Sequence, residues 1–270
     1  MLKDITIGQY IPGSSPLHKM HAPLKIILTI LYITVLFFVD SPVSYAIFTV
    51  YTVALVLISG VPLKVLLRGV KPMLWIFIFT AILNVFMMPG EIIWSLPIFR
   101  FTLKITNEGL AAGVTMAVRL LYLIMGTSLL TLTTSPLQLT DGIEKLLKPL
   151  RKIKVPSHEI AMMMTIAIRF IPTLAEETDK IKKAQTARGA DFETGNIIKR
   201  AKAMIPLLVP LFISAFRRAD DLATAMEARC YNGGDNRTRM KESHMTALDV
   251  KAIVIFTLAA AVVLLAEFWV

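Results

Sequence analysis

Residues 24–63 read LKIILTILYITVLFFVDSPVSYAIFTVYTVALVLISGVPL, two apolar runs parted only by Asp40-Ser41-Pro42. A helix crosses the hydrocarbon with about 20 mostly apolar residues, because lipid offers no partner to an unsatisfied backbone amide. Aspartate and serine followed by proline are turn formers, so the stretch predicts two membrane spans, 24–39 and 43–63, joined by a tight turn.

Three further segments of the same kind, 72–88, 110–132 and 252–268, bring the expected number of spans to five. The first and last are short and are expected to lean on Lys25 and Lys251, whose stems can run along lipid while the ammonium reaches the interface. Composition agrees: of 270 residues 55% are hydrophobic and only 18% charged. With a mean hydropathy of +0.65, the chain is too apolar for an ordinary soluble domain of its length. Two more apolar pieces, 160–168 and 203–216, are too short to cross, and Pro206 and Pro210 interrupt the second. They are placed at the membrane surface, with a seven-span arrangement as the alternative. The fold class is an all-α polytopic membrane protein with about five transmembrane helices and a helical cytoplasmic domain between the fourth and fifth.

Charge sets the orientation. The turn at residues 40–42 carries no basic residue, whereas the connection after the second span carries Lys64, Arg68 and Lys71 and should face the cytoplasm. That choice puts residues 90–108 outside and 134–246 inside. This inner block holds 19 of the 29 Lys and Arg against 13 of the 19 Asp and Glu, as the positive-inside rule requires. The domains are then a cytoplasmic N-terminal segment 1–23, four spans within 24–133, a cytoplasmic domain 134–246 and a last span within 247–270. The net charge of +10 is interleaved with apolar stretches, which points to topology rather than to nucleic acid. No small-residue cleavage pattern follows the first apolar run, so a removable signal peptide is not expected.

The cytoplasmic block contains one pattern twice, 41 residues apart: Asp179, Ala184, Ala187, Arg188 and then Asp220, Ala225, Ala228, Arg229. Alanines three apart keep one helix face thin and let another backbone approach. Helix-ending chemistry follows each arginine, Gly189 in one copy and Asn232-Gly233-Gly234 after the other. A guanidinium at such an end has two readings: it bonds the free carbonyls of its own helix, or it forks onto an acceptor of a partner. Two matching ends suit two equivalent grooves of a two-fold partner such as a paired ATPase.

At these residues the chain resembles the transmembrane T component of energy-coupling factor transporters, the family that includes the cobalt-importer subunit CbiQ. Two Ala-Arg-Gly motifs mark that family; Ala187-Arg188-Gly189 matches in full, and Ala228-Arg229-Cys230 has cysteine for glycine. Gly8-Gln9-Tyr10-Ile11-Pro12-Gly13-Ser14 with Leu17-His18-Lys19 and Lys25 is similar to the family's opening signature. His21-Ala22 stands where that signature has Asp-Pro. The resemblance implies an ATP-driven importer of vitamins or transition-metal ions in the cell membrane. In it, the two arginine-tipped helices dock a pair of cytoplasmic ABC-type ATPases and hold a separate substrate-binding membrane subunit, the S component.

No glycine precedes a lysine, so the chain has no phosphate-binding loop, and ATP hydrolysis belongs to a partner. Met162, Met163, Met164, Met204 and Met226 put adaptable side chains in the block, candidates for contact with the substrate-binding subunit. Gly109, Gly113 and Ala117 form a small-residue stripe for close helix packing. Arg119 lies deep enough in its span that it should face the bundle or a polar partner. His158-Glu159 lacks the second histidine of a zinc helix, since Met162 stands in its place. Single Cys230 allows no internal disulfide. No catalytic residue, cofactor or metal is expected. A self-sufficient secondary carrier or channel, the competing class, calls for ionisable groups or broken helices at mid-membrane in more than one span.

Overall fold

The apolar runs fold into helices, and the starts of the first two and the end of the fourth are closed by groups from distant parts of the chain. The computed structural model describes residues 10–98, 101–192, 194–233 and 244–269; Gly8, Gln9 and Gly234 lie outside the described residues. The described residues fall into two compact units, one within 10–142 and 244–269 and the other within 143–233.

In the first unit, a short α1 (Pro16–Lys19) leads into α2 (Ala22–Phe37), α3 (Pro42–Ser59), α4 (Leu63–Val70), α5 (Leu74–Met87) and α6 (Asn107–Thr133); α10 (Ala247–Trp269) returns to pack on α2 and α3. Helix α7 (Pro136–Leu147) follows α6. Among the described residues four stretches are long and apolar enough to cross a membrane, Pro42–Ser59, Leu63–Met87, Asn107–Thr133 and Ala247–Trp269, and α2 is a shorter apolar helix. At 16 residues, α2 is about 24 Å long. A span shorter than the hydrocarbon thickness is accommodated by local thinning of the bilayer.

Acidic side chains of α10 close three helix N-termini, its own among them. The Asp249 carboxylate is fully buried. Its Oδ2 accepts from the Thr246 amide at 2.7 Å, a capping box for α10 itself, and its Oδ1 accepts from the His21 amide at 2.9 Å, where α2 begins without a side-chain cap of its own. Near the other end Glu267 accepts from the Ser41 amide with both oxygens at 3.1 Å, at the start of α3. Helix α10 therefore runs parallel to α2 and antiparallel to α3. Between them Tyr32, Leu36, Val39, Phe48, Tyr122, Phe256 and Val263 form the core. On the α5 side, Gly109 and Gly113 let α6 approach so closely that an added Cβ would meet the Val85 carbonyl at 2.8 Å and the Ala81 carbonyl at 3.2 Å. The small-residue stripe is a packing seam.

Two readings of lysine are corrected. Lys64, Arg68 and Lys71 were expected in a loop, but α4 is an amphipathic helix. Its residues Leu66 and Val70 are buried, Leu66 with Leu129 and Leu132 of α6, while Lys64, Arg68 and Lys71 are exposed. Lys25 does not snorkel. It is 6% exposed, and its Nζ donates to the Thr133 carbonyl at 3.0 Å, Thr134 Oγ1 at 3.2 Å and the His18 carbonyl at 3.3 Å. The Ile11 amide donates to the Leu132 carbonyl at 3.0 Å. The N-terminal segment thus caps the last turn of α6, where carbonyls have no intrahelical partner and the helix dipole is negative. Lys251, by contrast, is exposed.

One feature of the α5–α6 connection is absent from the sequence reading: strands β1 (Ile92–Ile98) and β2 (Phe101–Thr106) pair antiparallel. Thr106 ends the hairpin and caps α6, its Oγ1 accepting from the Gly109 amide at 3.1 Å and donating to the Met88 carbonyl at 2.9 Å.

The second unit is built on two long helices of 31 residues each, α8 (Ser157–Ala187) and α9 (Ile197–Glu227). Each is about 46 Å long. Pro172 sits inside α8, and Pro206 and Pro210 inside α9. The expected interruption at the α9 prolines does not occur. A proline removes one i→i−4 bond and crowds one carbonyl, yet its fixed φ is helical, so bonds above and below carry the helix through.

Candidate functional site

The repeated pattern ends both long helices in the same way. In α8 the Gly189 amide donates to the Thr186 carbonyl at 3.0 Å and the Ala190 amide to the Gln185 carbonyl at 3.0 Å. These are the two bonds of a Schellman motif, which needs a left-handed residue just past the helix. Gly189 supplies it with φ +87°. In α9 the Cys230 amide donates to the Glu227 carbonyl at 2.8 Å and the Tyr231 amide to the Met226 carbonyl at 3.0 Å. Every partner lies 41 residues beyond its counterpart. Cys230, at φ +56°, takes the conformation of the missing glycine, so the second end keeps the same two closing bonds as the first.

These bonds bear on the first reading of the arginines, that each side chain closes its own helix end. Carbonyls of the last turn accept from backbone amides, and Arg188 and Arg229 are exposed, their side chains making no hydrogen bond or ion pair to another described residue. Ala184, Ala187, Ala225 and Ala228 are exposed as well, as are Gly189 and Cys230; Asp179 is half-buried and Asp220 exposed. Each tip therefore presents a thin face and a planar cation with all its donors available.

Sequence reasoning missed the contact that relates the two tips. Arg218 of α9 donates to Glu177 of α8 at 2.7 Å. Residues 177 and 218 are also 41 apart, so α8 and α9 meet at equivalent positions of the repeat, 11 residues before each arginine. Each tip is then about 16 Å along its helix from the meeting point.

Towards the other ends the helices bear apolar side chains. Ile205, Leu208, Phe212 and Phe216 of α9 are 46–69% exposed and follow one another at helical spacing on one face. Met163, Met164 and Met204 are exposed, whereas Met162 and Met226 are half-buried. His158 does not stand with a second ligand; its Nδ1 meets Glu144 Oε1 at 3.2 Å. Arg119 takes a structural role in the first unit: it bonds Asp40 Oδ1 at 2.8 Å, the Val39 carbonyl at 2.7 Å and the Tyr45 hydroxyl at 3.0 Å, tying α6 to the α2–α3 turn.

Comparison with known proteins gives the family of the chain. The family model described as cobalt transport protein, CbiQ, matches residues 13–240. The chain is 54% identical over 267 residues to the energy-coupling factor transporter transmembrane protein EcfT of Thermosediminibacter oceani, covering 99% of both chains. It is 54% identical over 270 residues to that of Clostridium kluyveri, covering 100% of this chain and 99% of the other. Over 262 residues it is 45% identical to that of Bacillus subtilis, covering 97% of each.

Proposed function

The chain belongs to the cobalt transport protein family that holds the transmembrane components of energy-coupling factor transporters, and from that premise we propose that it couples ATP hydrolysis in two cytoplasmic ABC-type ATPases to uptake through a separate substrate-binding membrane subunit. It has the N-terminus and residues 134–246 in the cytosol, and its cargo class is vitamins or transition-metal ions.

The observation that carries this reading is the pair of equivalent helix ends, each closed by its own backbone and each leaving an exposed arginine without a described partner. One tip seats on each ATPase, where Arg188 and Arg229 fork onto carboxylate or carbonyl oxygens. The thin alanine faces admit the tips to a groove, and the shared 41-residue register matches a partner with two-fold or pseudo-two-fold symmetry.

Motion follows from lever geometry. About the Glu177–Arg218 contact, the short arms to the tips measure about 16 Å and the long arms, 20 or 21 residues, about 30 Å. ATP-driven closure of the pair thus moves the far ends of α8 and α9 roughly twice as far as the tips. Those arms carry the exposed apolar stripe with Met162, Met163, Met164 and Met204, whereas Met226 lies on the short arm near its tip; the long arms hold the substrate-binding subunit and shift it in the bilayer.

The test is co-purification of the full chain with its ATPases from native membranes. Arg188→Glu with Arg229→Glu abolishes the association, while Arg188→Lys, which keeps the charge and loses the fork, weakens it. Both side chains are exposed, so the variants fold. Retention of both ATPases by the double variant would refute the docking role.

A further inference from the structure

The first unit contains a crevice of about 450 Å³ bounded by α1, α2, α3, α6 and α10, the size of a small-ligand site. Its wall residues occupy one end of each of four helices: 25–32 of α2, 51–58 of α3, 126–133 of α6 and 248–256 of α10. The crevice therefore lies within about 12 Å of depth on a single side. In the proposed orientation that side is the cytoplasmic leaflet. The lining is almost wholly apolar, and at its rim Ile58, Leu248 and Ile255 are 40–60% exposed, so it opens towards lipid rather than closing as an internal void. An empty apolar crevice at that depth would forfeit dispersion contacts along its walls.

Its charge is cationic and at one end only. Two lysines line it. Lys25 has its three hydrogens committed to Thr133, Thr134 and His18. Lys251 is exposed, and its side chain has no hydrogen bond or ion pair to another described residue. Lys19, exposed and likewise without a described partner, stands next to the lining residue Met20. We propose that this crevice binds one anionic phospholipid, an acyl chain lying along Leu28, Leu55, Leu129 and Phe256 and the phosphate at Lys251. Charge complementarity selects the headgroup; a free phosphate would leave the apolar walls bare. The orientation proposed above enters only in naming which leaflet supplies the lipid.

The experiment uses the full chain in its complex, stripped of lipid in detergent and titrated with phosphatidylglycerol or phosphatidylcholine of identical chains, with bound lipid counted by native mass spectrometry. One phosphatidylglycerol per chain is retained, roughly five- to thirtyfold more tightly than phosphatidylcholine, the contribution of one or two surface lysines. Lys251→Glu abolishes that preference. Ala252→Trp, which fills the crevice, removes tight binding of both lipids, and inorganic phosphate does not displace the lipid. Equal retention of the two lipids, an unchanged preference in Lys251→Glu, or displacement by phosphate overturns the proposal. So does cross-linking of the crevice to a polypeptide in place of lipid. Lys251→Glu changes an exposed side chain and reads the site even if Ala252→Trp does not fold. The count is indifferent to which way the chain is inserted and to ATPase docking, so its failure leaves the coupling role standing.

Discussion

Exchanging the residues just past the two long helices tests the equivalence of their ends with opposite signs. Gly189 has φ +87°, and a Cβ added there meets nothing within 4 Å, so Gly189→Ala acts through the backbone alone. A Cβ-bearing residue in the left-handed region costs about 1–2 kcal/mol, offset by the roughly 0.5–1 kcal/mol that glycine loses in ordering, a net near 1 kcal/mol. Cys230, already left-handed at φ +56°, gains by the same arithmetic in Cys230→Gly. Since 1.4 kcal/mol is tenfold, each change amounts to about fivefold in the opening equilibrium. The assay is amide hydrogen exchange at the motif donors. Protection at positions 189 and 190 falls about fivefold in Gly189→Ala, and protection at 230 and 231 rises about fivefold in Cys230→Gly. A change of the same sign at both ends, or none at either, would refute the claim that Cys230 occupies a glycine position.

Two predictions concern the membrane unit. Lys25→Met leaves the Thr133 carbonyl without its ammonium donor and should cost about 1–3 kcal/mol, read as a lower unfolding temperature in detergent; an unchanged transition would mean that α6 is capped by other groups. In Gly126→Ala the new Cβ would fall 2.5 Å from the Tyr32 ring, whose hydroxyl meets Thr52 at 3.0 Å and the Tyr122 carbonyl at 3.3 Å. The expected cost is about 1–3 kcal/mol, and Tyr32→Leu in the same chain should recover part of it; simple additivity of the two changes would contradict the packing.

The spans were legible because lipid demands long uninterrupted apolar runs, and nothing in the tertiary structure can relax that demand. What escaped the reading has particular causes. Lys64, Arg68 and Lys71 look like a basic loop when counted as charges, yet their 4 and 3 spacing, with Leu66 and Val70 opposite, is that of an amphipathic helix. Lys25 reads as an interface anchor because nothing local reveals that the chain folds its own C-terminal carbonyls of α6 onto it. Asp249 closes a helix that begins 228 residues earlier, a partnership no local window contains. Pro206 and Pro210 were weighted as breakers, although in so long a helix the neighbouring bonds carry it past them. The β1–β2 hairpin was missed in a short apolar run whose length suits strand or loop alike. The helix tips were the most legible part: the 41-residue repeat located both ends, and the same offset reappears in the Glu177–Arg218 pair.

Cys230 is the only cysteine of the chain, exposed and one residue from Arg229, so its thiol reports on the tip directly. The most direct measurement is its labelling by a membrane-impermeant maleimide, in intact cells and in inside-out vesicles with and without the ATPase pair. The account predicts no labelling in cells, rapid labelling in vesicles stripped of the ATPases, and protection when they are restored. Labelling from outside the cell, or a rate in vesicles that the ATPases leave unchanged, would contradict it.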